Sequence, residues 1–311
     1  MRIMFMGTPE ISALSLSALL EAGHNICAVV TGEDKPRGRG NVMTPTPTKK
    51  VAVERGIPVY TPKTLRDEAF ASLLSEINPD LICVVAYGKI LPENVIKYPR
   101  LGCINLHVSL LPRYRGAAPM QRAVMDGESE TGVTIMYMDV GLDTGDIIAS
   151  EKFPIGEEDD FEYVHDTSVS IGSRLLSDTL YEIEAGRATR TPQDDSLATY
   201  AKKVEKEDCL VDFTLDSATV SARIRGVTPI PGAFTYLSGK MLKIAKVKRV
   251  DGNGKPGEVL EVSGVGDGYI TVACKNGAIK ILQVTPEGKG KMSAGDFVRG
   301  RKIAVGDILG K

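Results

Sequence analysis

Between Asp80 and Ala86 the chain reads Leu-Ile-Cys-Val-Val, apolar at every position. A strand of that kind must be covered on both faces, which is the condition of a central strand in a parallel sheet flanked by helices. The start of the chain agrees with it. Arg2 to Met6 is a short apolar strand, Gly7 ends it, and Thr8-Pro9-Glu10 reads as an N-cap followed by Pro at the first helical position. A helix to about Ala22 and a strand from Asn25 to Thr31 complete a β-α-β opening. The fold expected is α/β, with a doubly wound, Rossmann-like, mostly parallel sheet. After the first strand, Gly-Thr-Pro-Glu-Ile-Ser lacks the second and third glycines that let a backbone approach a pyrophosphate. A nicotinamide-dependent reaction is disfavoured.

Residues 32 to 48 read as a long Pro- and Gly-rich loop, and Lys35, Arg37, Arg39, Lys49 and Lys50 lie between 35 and 50 with no acidic residue. Such a loop at the C-terminal edge of the sheet is either an overhang on the site or a mobile surface loop, two readings the sequence weighs about equally. A short helix after Thr48, a strand near Val59 and a helix from about Thr64 to Ile77 are expected next. Beyond the central run come a helix from Pro119 to about Asp126, strands from Thr131 to Met138 and Ile147 to Phe153, and a long helix from Phe161 to about Gly186. Residues 1–187 are read as the catalytic domain and the polar stretch 188–207 as a linker. From 208 to 311 the pattern changes to one helix, Asp216 to Gly226, and short strands separated by Gly, Asn, Asp and Pro. A smaller C-terminal β-barrel domain fits that pattern.

The charge balance of −2 hides an asymmetry: residues 208–311 carry 16 Lys+Arg and 10 Asp+Glu, against 22 and 30 before them. A basic C-terminal domain is read either as a solvated face, the commoner case for an excess of this size, or as a surface for a polyanion such as nucleic acid. No apolar run approaches the ~20 residues of a membrane span, and Met1-Arg2-Ile3 opens directly into a strand. A cytoplasmic protein is expected. The five cysteines are scattered without a Cys-x-x-Cys pair, so reduced core thiols are expected rather than disulfides or zinc ligands.

The chemistry concentrates between Asn105 and Pro119. Asn105 and His107, two apart at the end of an apolar strand, point to one face. Pro112, Gly116 and Pro119 then break regular structure, and Arg113 and Arg115 add positive charge to a loop able to wrap a ligand. The segment Asp139 to Asp146 supplies three carboxylates and two glycines; its spacing matches no EF-hand and no His or Cys joins it, so no metal is expected. His24 and His165 are read as structural. Asn105, His107 and Asp143 together supply the parts for acyl-type transfer to an amine: an oxyanion donor, a second donor or proton shuttle, and a carboxylate that orients the imidazole or takes the amine's proton. Ser109 and Ser173 lack a Gly-x-Ser-x-Gly elbow, which argues against a serine hydrolase.

Asn105-x-His107 followed by Ser109-Leu-Leu-Pro-x-x-Arg-Gly-Ala-Ala-Pro119 resembles the formyltetrahydrofolate-using formyltransferases. The likeness extends to Gly7-Thr-Pro, Pro36-x-Gly-Arg-Gly40, Val85-Ala-Tyr-Gly-x-Ile-Leu-Pro92, Glu130-Thr-Gly-Val-Thr-Ile135 and Met138-Asp-x-Gly-Leu-Asp-Thr-Gly-Asp146, and more loosely to Tyr200-Ala-x-Lys203 and Met292-Ser-Ala294. It is greatest to the members that formylate methionyl initiator tRNA. The resemblance implies that Asn105, His107 and Asp143 are the catalytic trio, that Ser109, Leu110, Leu111 and Pro112 shape the site of the co-substrate 10-formyltetrahydrofolate, and that Lys35, Arg37, Arg39 and Lys49 meet the tRNA. It also implies that the C-terminal barrel is OB-like and holds the tRNA backbone, and that the enzyme works as a monomer. The sequence departs from the family at Val108, where a small residue is common, and at Pro229-Ile-Pro-Gly232, which lacks an aromatic between the prolines. Asp159-Asp-Phe-Glu162 replaces a familiar Asp-Thr helix start, and the chain has no Trp. Rival readings are formyl transfer to an amino-sugar nucleotide or glycinamide ribonucleotide, an idle tRNA-binding protein, and a folate hydrolase releasing formate.

Overall fold

The computed structural model describes residues 1–37 and 40–310, without the side chain of Arg37. The chain forms two compact units and passes between them more than once. One unit holds Met1–Gly116, Gly132–Lys152 and Thr167–Tyr200; the other holds Ala117–Thr131, Phe153–Asp166 and the chain from Ala201 on.

The first unit is built on β1 (Ile3–Gly7), α1 (Glu10–Glu21), β2 (Ile26–Val30), a hairpin of β3 (Lys35–Arg37) and β4 (Val42–Thr44), α2 (Pro47–Glu54), β5 (Val59–Tyr60), α3 (Glu68–Ile77), β6 (Leu81–Val85), α4 (Glu93–Ile96), β7 (Cys103–His107) and β8 (Arg115–Gly116). After α5 (Pro119–Met125) come β9 (Glu130–Tyr137), β10 (Ile147–Pro154) and α6 (Phe161–Glu184). The sheet order is β10-β9-β7-β6-β1-β2-β5. Strands β5, β2, β1, β6 and β7 run parallel, and β9 is antiparallel to β7. The expected doubly wound sheet is present, with β6 and β1 at its centre. Alternation explains their unbroken apolar sequences: Ile3, Phe5, Leu81, Cys83, Ile104 and Leu106 face a core shared with α1 and α6, while Met4, Met6, Ile82 and Val84 face another shared with α3.

Three local expectations change. Helix α1 begins at Glu10 with Pro9 as an uncapped N-cap, because Thr8 Oγ1 donates instead to the Tyr87 carbonyl at 3.0 Å. Gly7 permits this tight exit from β1, since a Cβ there would stand 2.8 Å from the Val85 carbonyl oxygen. The loop from 32 to 48 contains the β3–β4 hairpin, in register from Lys35↔Thr44 to Arg37↔Val42. Helix α3 starts at Glu68, where Asp67 accepts from the Phe70 N–H at 2.9 Å. The short α4 had no sequence signal strong enough to mark it. All five cysteines are free, four of them buried. His24 sits against Ser177 at 2.9 Å and Tyr181, and burial lowers its pKa.

The second unit resumes at Ala201, the last residue of β11 (Tyr200–Ala201), and holds α7 (Ser217–Gly226), β12 (Ala233–Leu237), β13 (Lys240–Val250), β14 (Val259–Ser263), β15 (Tyr269–Ala273), β16 (Ala278–Pro286), β17 (Met292–Ser293) and α8 (Ala294–Arg299). Its strand order is β12-β13-β16-β15-β14, with β17 on β16. Bridges Leu237↔Leu309 and Glu258↔Ile308 tie β12 and the residue before β14 to two adjacent residues, Leu309 and Ile308, which covers edges that would otherwise be open. Helix α8 was not expected from the sequence; the Ser293 hydroxyl caps it by accepting from the Asp296 N–H at 3.1 Å.

Helix α5 belongs here because it lies on α7, where Gly226 allows an approach that a Cβ would block at 2.4 Å from Met125. Arg122 on α5 donates to both carboxylate oxygens of Asp208, at 3.1 and 2.7 Å, and to the carbonyls of Lys202 and Lys203, both at 3.0 Å. The Arg122 hydrogen bond holds the Asp208 carboxyl below its ordinary range. Arg122→Ala is therefore expected to destabilise the protein by about 2 kcal/mol. A depressed carboxyl stabilises above its unfolded pKa, and that contribution fades as pH falls through the folded value. Urea denaturation from neutral pH into the carboxylate range should show the difference between wild type and variant shrinking with acid.

Candidate active site

Strand β7 ends at the site. Its register sets Asn105 between Val84 of β6 and Met136 of β9, and His107 opposite Thr134. The Asn105 side chain is half-buried, and its amide makes no hydrogen bond among the described residues. His107 is only 5% exposed. Its Nε2 lies 3.0 Å from the carbonyl oxygen of Tyr114. A carbonyl only accepts, so Nε2 carries the proton and Nδ1 is the ring atom turned to Asp143, 3.7 Å from its Oδ2.

Asp143 reaches this position from the loop between β9 and β10. It adopts φ 53°, in the left-handed region, and its Oδ2 accepts from the Gly116 N–H at 2.8 Å. Tyr114 (φ 58°) and Ala86 (φ 45°), which directly follows β6, are left-handed as well. Non-glycine residues in this region carry a conformational cost of about 1–3 kcal/mol each and gather where backbone must aim functional groups. The loop also has no room at Gly145, where a Cβ would fall 1.8 Å from the Tyr137 carbonyl oxygen. Gly145→Ala must move the Asp143 loop; a stability loss of about 3 kcal/mol and a fall in kcat are expected, read by thermal denaturation and single-turnover kinetics.

The turn after His107 is self-contained. Ser109, fully buried, donates its hydroxyl to the Arg113 carbonyl at 2.7 Å and accepts through its own carbonyl from Thr134 Oγ1 at 2.7 Å. Leu111 donates its N–H to the same Thr134 oxygen at 3.2 Å. Leu110 and Pro112 are half-buried, and Leu110 lies over Gly132, where a Cβ would meet it at 2.5 Å. Ser109 and Leu111 thus hold the turn, while Leu110 and Pro112 offer its accessible surface. Ser173 Oγ bonds Ser15.

Arg115 does not supply charge to a ligand as its sequence context suggested. It is 2% exposed and donates to Gln193 and Asp195. Gln193, which carried no signal in its polar surroundings, in turn donates to the carbonyls of Asp143 and Gly145. Among the basic-loop residues, Lys35 is exposed on β3. Lys49 is paired with Asp34 at 2.8 Å, an acid one residue outside the basic window. The Arg37 side chain and Arg39 lie outside the described residues. Among the described residues no group of three His, Cys, Asp or Glu side chains is assembled for a metal, and no helix is long and apolar enough to cross a membrane.

The family model for formyl transferases matches residues 1–180, and that for the formyl transferase C-terminal domain matches residues 203–302. The methionyl-tRNA formyltransferase of Citrifermentans bemidjiense is 45% identical over 311 residues, covering 100% of this chain and 97% of its own. That of Lachnospira eligens is 45% identical, covering all of both chains. Among solved structures, the sugar 3N-formyl transferase WlaRD superposes with a TM-score of 0.68 at 19% identity, over 93% of this chain and 99% of its own. HypX from Aquifex aeolicus gives 0.66 at 21% identity over 98% of this chain, which spans about half the length of HypX. At those identities the structures speak for the fold. The full-length relatives and the matched family models go further, and the chain belongs to the formyl transferase family.

Proposed function

We propose that the enzyme moves a formyl group from 10-formyltetrahydrofolate to the α-amino group of methionine esterified to initiator tRNA. One observation carries the reaction type: an Asn105 amide with no hydrogen bond among the described residues and an imidazole of fixed tautomer on His107 share the end of β7, with the Asp143 carboxylate facing the ring. Likeness to methionyl-tRNA formyltransferases over the whole chain supports the acceptor.

The neutral amine attacks the formyl carbon, a C–N bond forms, and the carbonyl electron pair moves onto oxygen. Asn105 donates its amide N–H to that oxyanion. Because Nε2–H is committed to Tyr114, Nδ1 of His107 does the work of the ring. With Asp143 it relays the proton of the attacking nitrogen to the nitrogen of the leaving folate. Collapse of the intermediate breaks the old C–N bond and releases tetrahydrofolate and the N-formylated product. No covalent enzyme intermediate is needed. The formyl donor lies against Leu110 and Pro112, on a turn whose shape Ser109 and Leu111 maintain.

The acceptor's polyanionic backbone meets Lys35, Arg37 and Arg39 and the basic face of the second unit, where Lys240, Lys243 and Lys246 stand exposed along β13. Lys49, bound to Asp34, acts by anchoring the hairpin. Arg39→Ala is expected to raise KM for tRNA and lower the salt dependence of binding by about one counterion, leaving folate affinity unchanged; equal loss of folate affinity would count against this role. On this reading the enzyme acts in the cytoplasm as a monomer.

The deciding assay presents labelled formyl donor to the purified protein with methionyl initiator tRNA, glycinamide ribonucleotide or an amino-sugar nucleotide. Label is expected in the tRNA fraction. Label only in a small-molecule product overturns the acceptor, and label only in formate overturns transfer altogether.

A further inference from the structure

We propose that Gln193 is a positioning residue for the reaction, locking the Asp143 loop in its working conformation from the polar stretch of the first unit that precedes β11. Its Nε2 donates to the carbonyl oxygens of Asp143 at 2.8 Å and Gly145 at 2.7 Å. Its Oε1 accepts from Arg115 Nε at 3.2 Å and Nη2 at 2.8 Å, and Arg115 Nη2 also donates to Asp195 at 2.7 Å. The orientation of the amide follows from its partners: guanidinium nitrogens only donate and carbonyls only accept. One side chain therefore joins a buried cation on the His107 side of the site to two backbone acceptors on the Asp143 side.

The bond to the Asp143 carbonyl bears directly on the strained residue. A left-handed Asp persists only where its surroundings over-determine it, and here the side chain is held by Gly116 and the main chain by Gln193. The same stretch secures the other half of the site. Thr199 Oγ1 accepts from the Tyr114 N–H at 2.8 Å, and the Thr199 carbonyl accepts from the Arg115 N–H at 2.8 Å. Tyr114 is the residue whose carbonyl fixes the His107 tautomer. A chain segment that reads as a polar connector is thus the strap that sets His107 and Asp143 against each other. Displacing a reacting group by about 1 Å can cost 10²-fold in rate.

This inference rests on Asp143 taking part in proton transfer, and its test separates the two. Gln193→Glu keeps the Arg115 partner but removes both donors and sets a carboxylate against two carbonyls. Gln193→Met keeps the length and removes only the polar atoms. Each is compared with wild type, with Asp143→Asn, and with the corresponding double variant, all checked for folding by thermal denaturation; whichever Gln193 variant folds supplies the result. The expected outcome is a kcat lowered on the order of 10²-fold, with KM for both substrates nearly unchanged and no further loss in the Asp143→Asn background. Full kcat in the Gln193 variant, beside a crippled Asp143→Asn, overturns the positioning role and leaves the catalytic reading standing. Equal loss in both backgrounds also overturns it, since a merely structural residue costs rate whether or not Asp143 is charged. Full kcat in Asp143→Asn instead removes the catalytic reading on which the inference stands.

Discussion

Asn105→Ala is expected to lower kcat by about 10²–10³-fold while the folded protein keeps its thermal midpoint. The first half follows from electrostatics. A preorganised donor aimed at developing negative charge contributes about 3–4 kcal/mol to the transition state, and the Asn105 amide is the group at the end of β7 with that capacity. The second half follows from the structure. The amide makes no hydrogen bond among the described residues, so truncation leaves no internal partner unsatisfied, while the backbone pairs with Val84 and Met136 remain. Asn105→Asp sharpens the test, because it preserves shape but brings negative charge toward the oxyanion. It should be the slower of the two variants. Near-normal kcat in Asn105→Asp would mean that the side chain fills space and donates nothing.

The parts of this site that could be read from the sequence are those encoded by local periodicity. Asn105 and His107 lie two apart on a strand, and their common face follows from the pleat alone. The runs Ile3–Met6 and Leu81–Val85 are apolar throughout because both faces of the sheet are covered, which marked them as central strands before any pairing was known. Asp143 stood out because glycines and carboxylates crowd its loop. What escaped depends on contacts between residues far apart in the chain. Arg115 follows an Arg-Tyr-Arg pattern that reads as solvent-facing charge, yet it is buried because Gln193 and Asp195, nearly 80 residues away, supply its acceptors. Helix α5 was legible as a helix, but its docking on α7 depends on the small volume of Gly226. The β3–β4 hairpin was hidden by the Gly and Pro content that made its segment look like an open loop. Gln193 had no local signature, since a neutral amide in a polar run acquires meaning only from what it touches.

That dependence on distant partners makes Asp143→Asn the more discriminating of the two largest substitutions. The replacement amide can still accept from the Gly116 N–H through its oxygen, and the main chain of residue 143 is still held by Gln193. The loop should keep its place. What disappears is the negative charge facing Nδ1 of His107 across 3.7 Å and, under the proposed mechanism, the capacity to take a proton from the attacking amine. General acid–base contributions of this kind are worth about 10²–10⁴-fold, and the loss should fall on kcat, with KM for the formyl donor close to wild type. Asp143→Ala removes the Gly116 acceptor as well, so it should lose rate and also lower the thermal midpoint. The difference between the two variants separates the charge of Asp143 from its work in holding the loop. If Asp143→Asn retains most of its activity while Asp143→Ala does not, the carboxylate is a structural anchor, and proton transfer must pass through His107 Nδ1 alone.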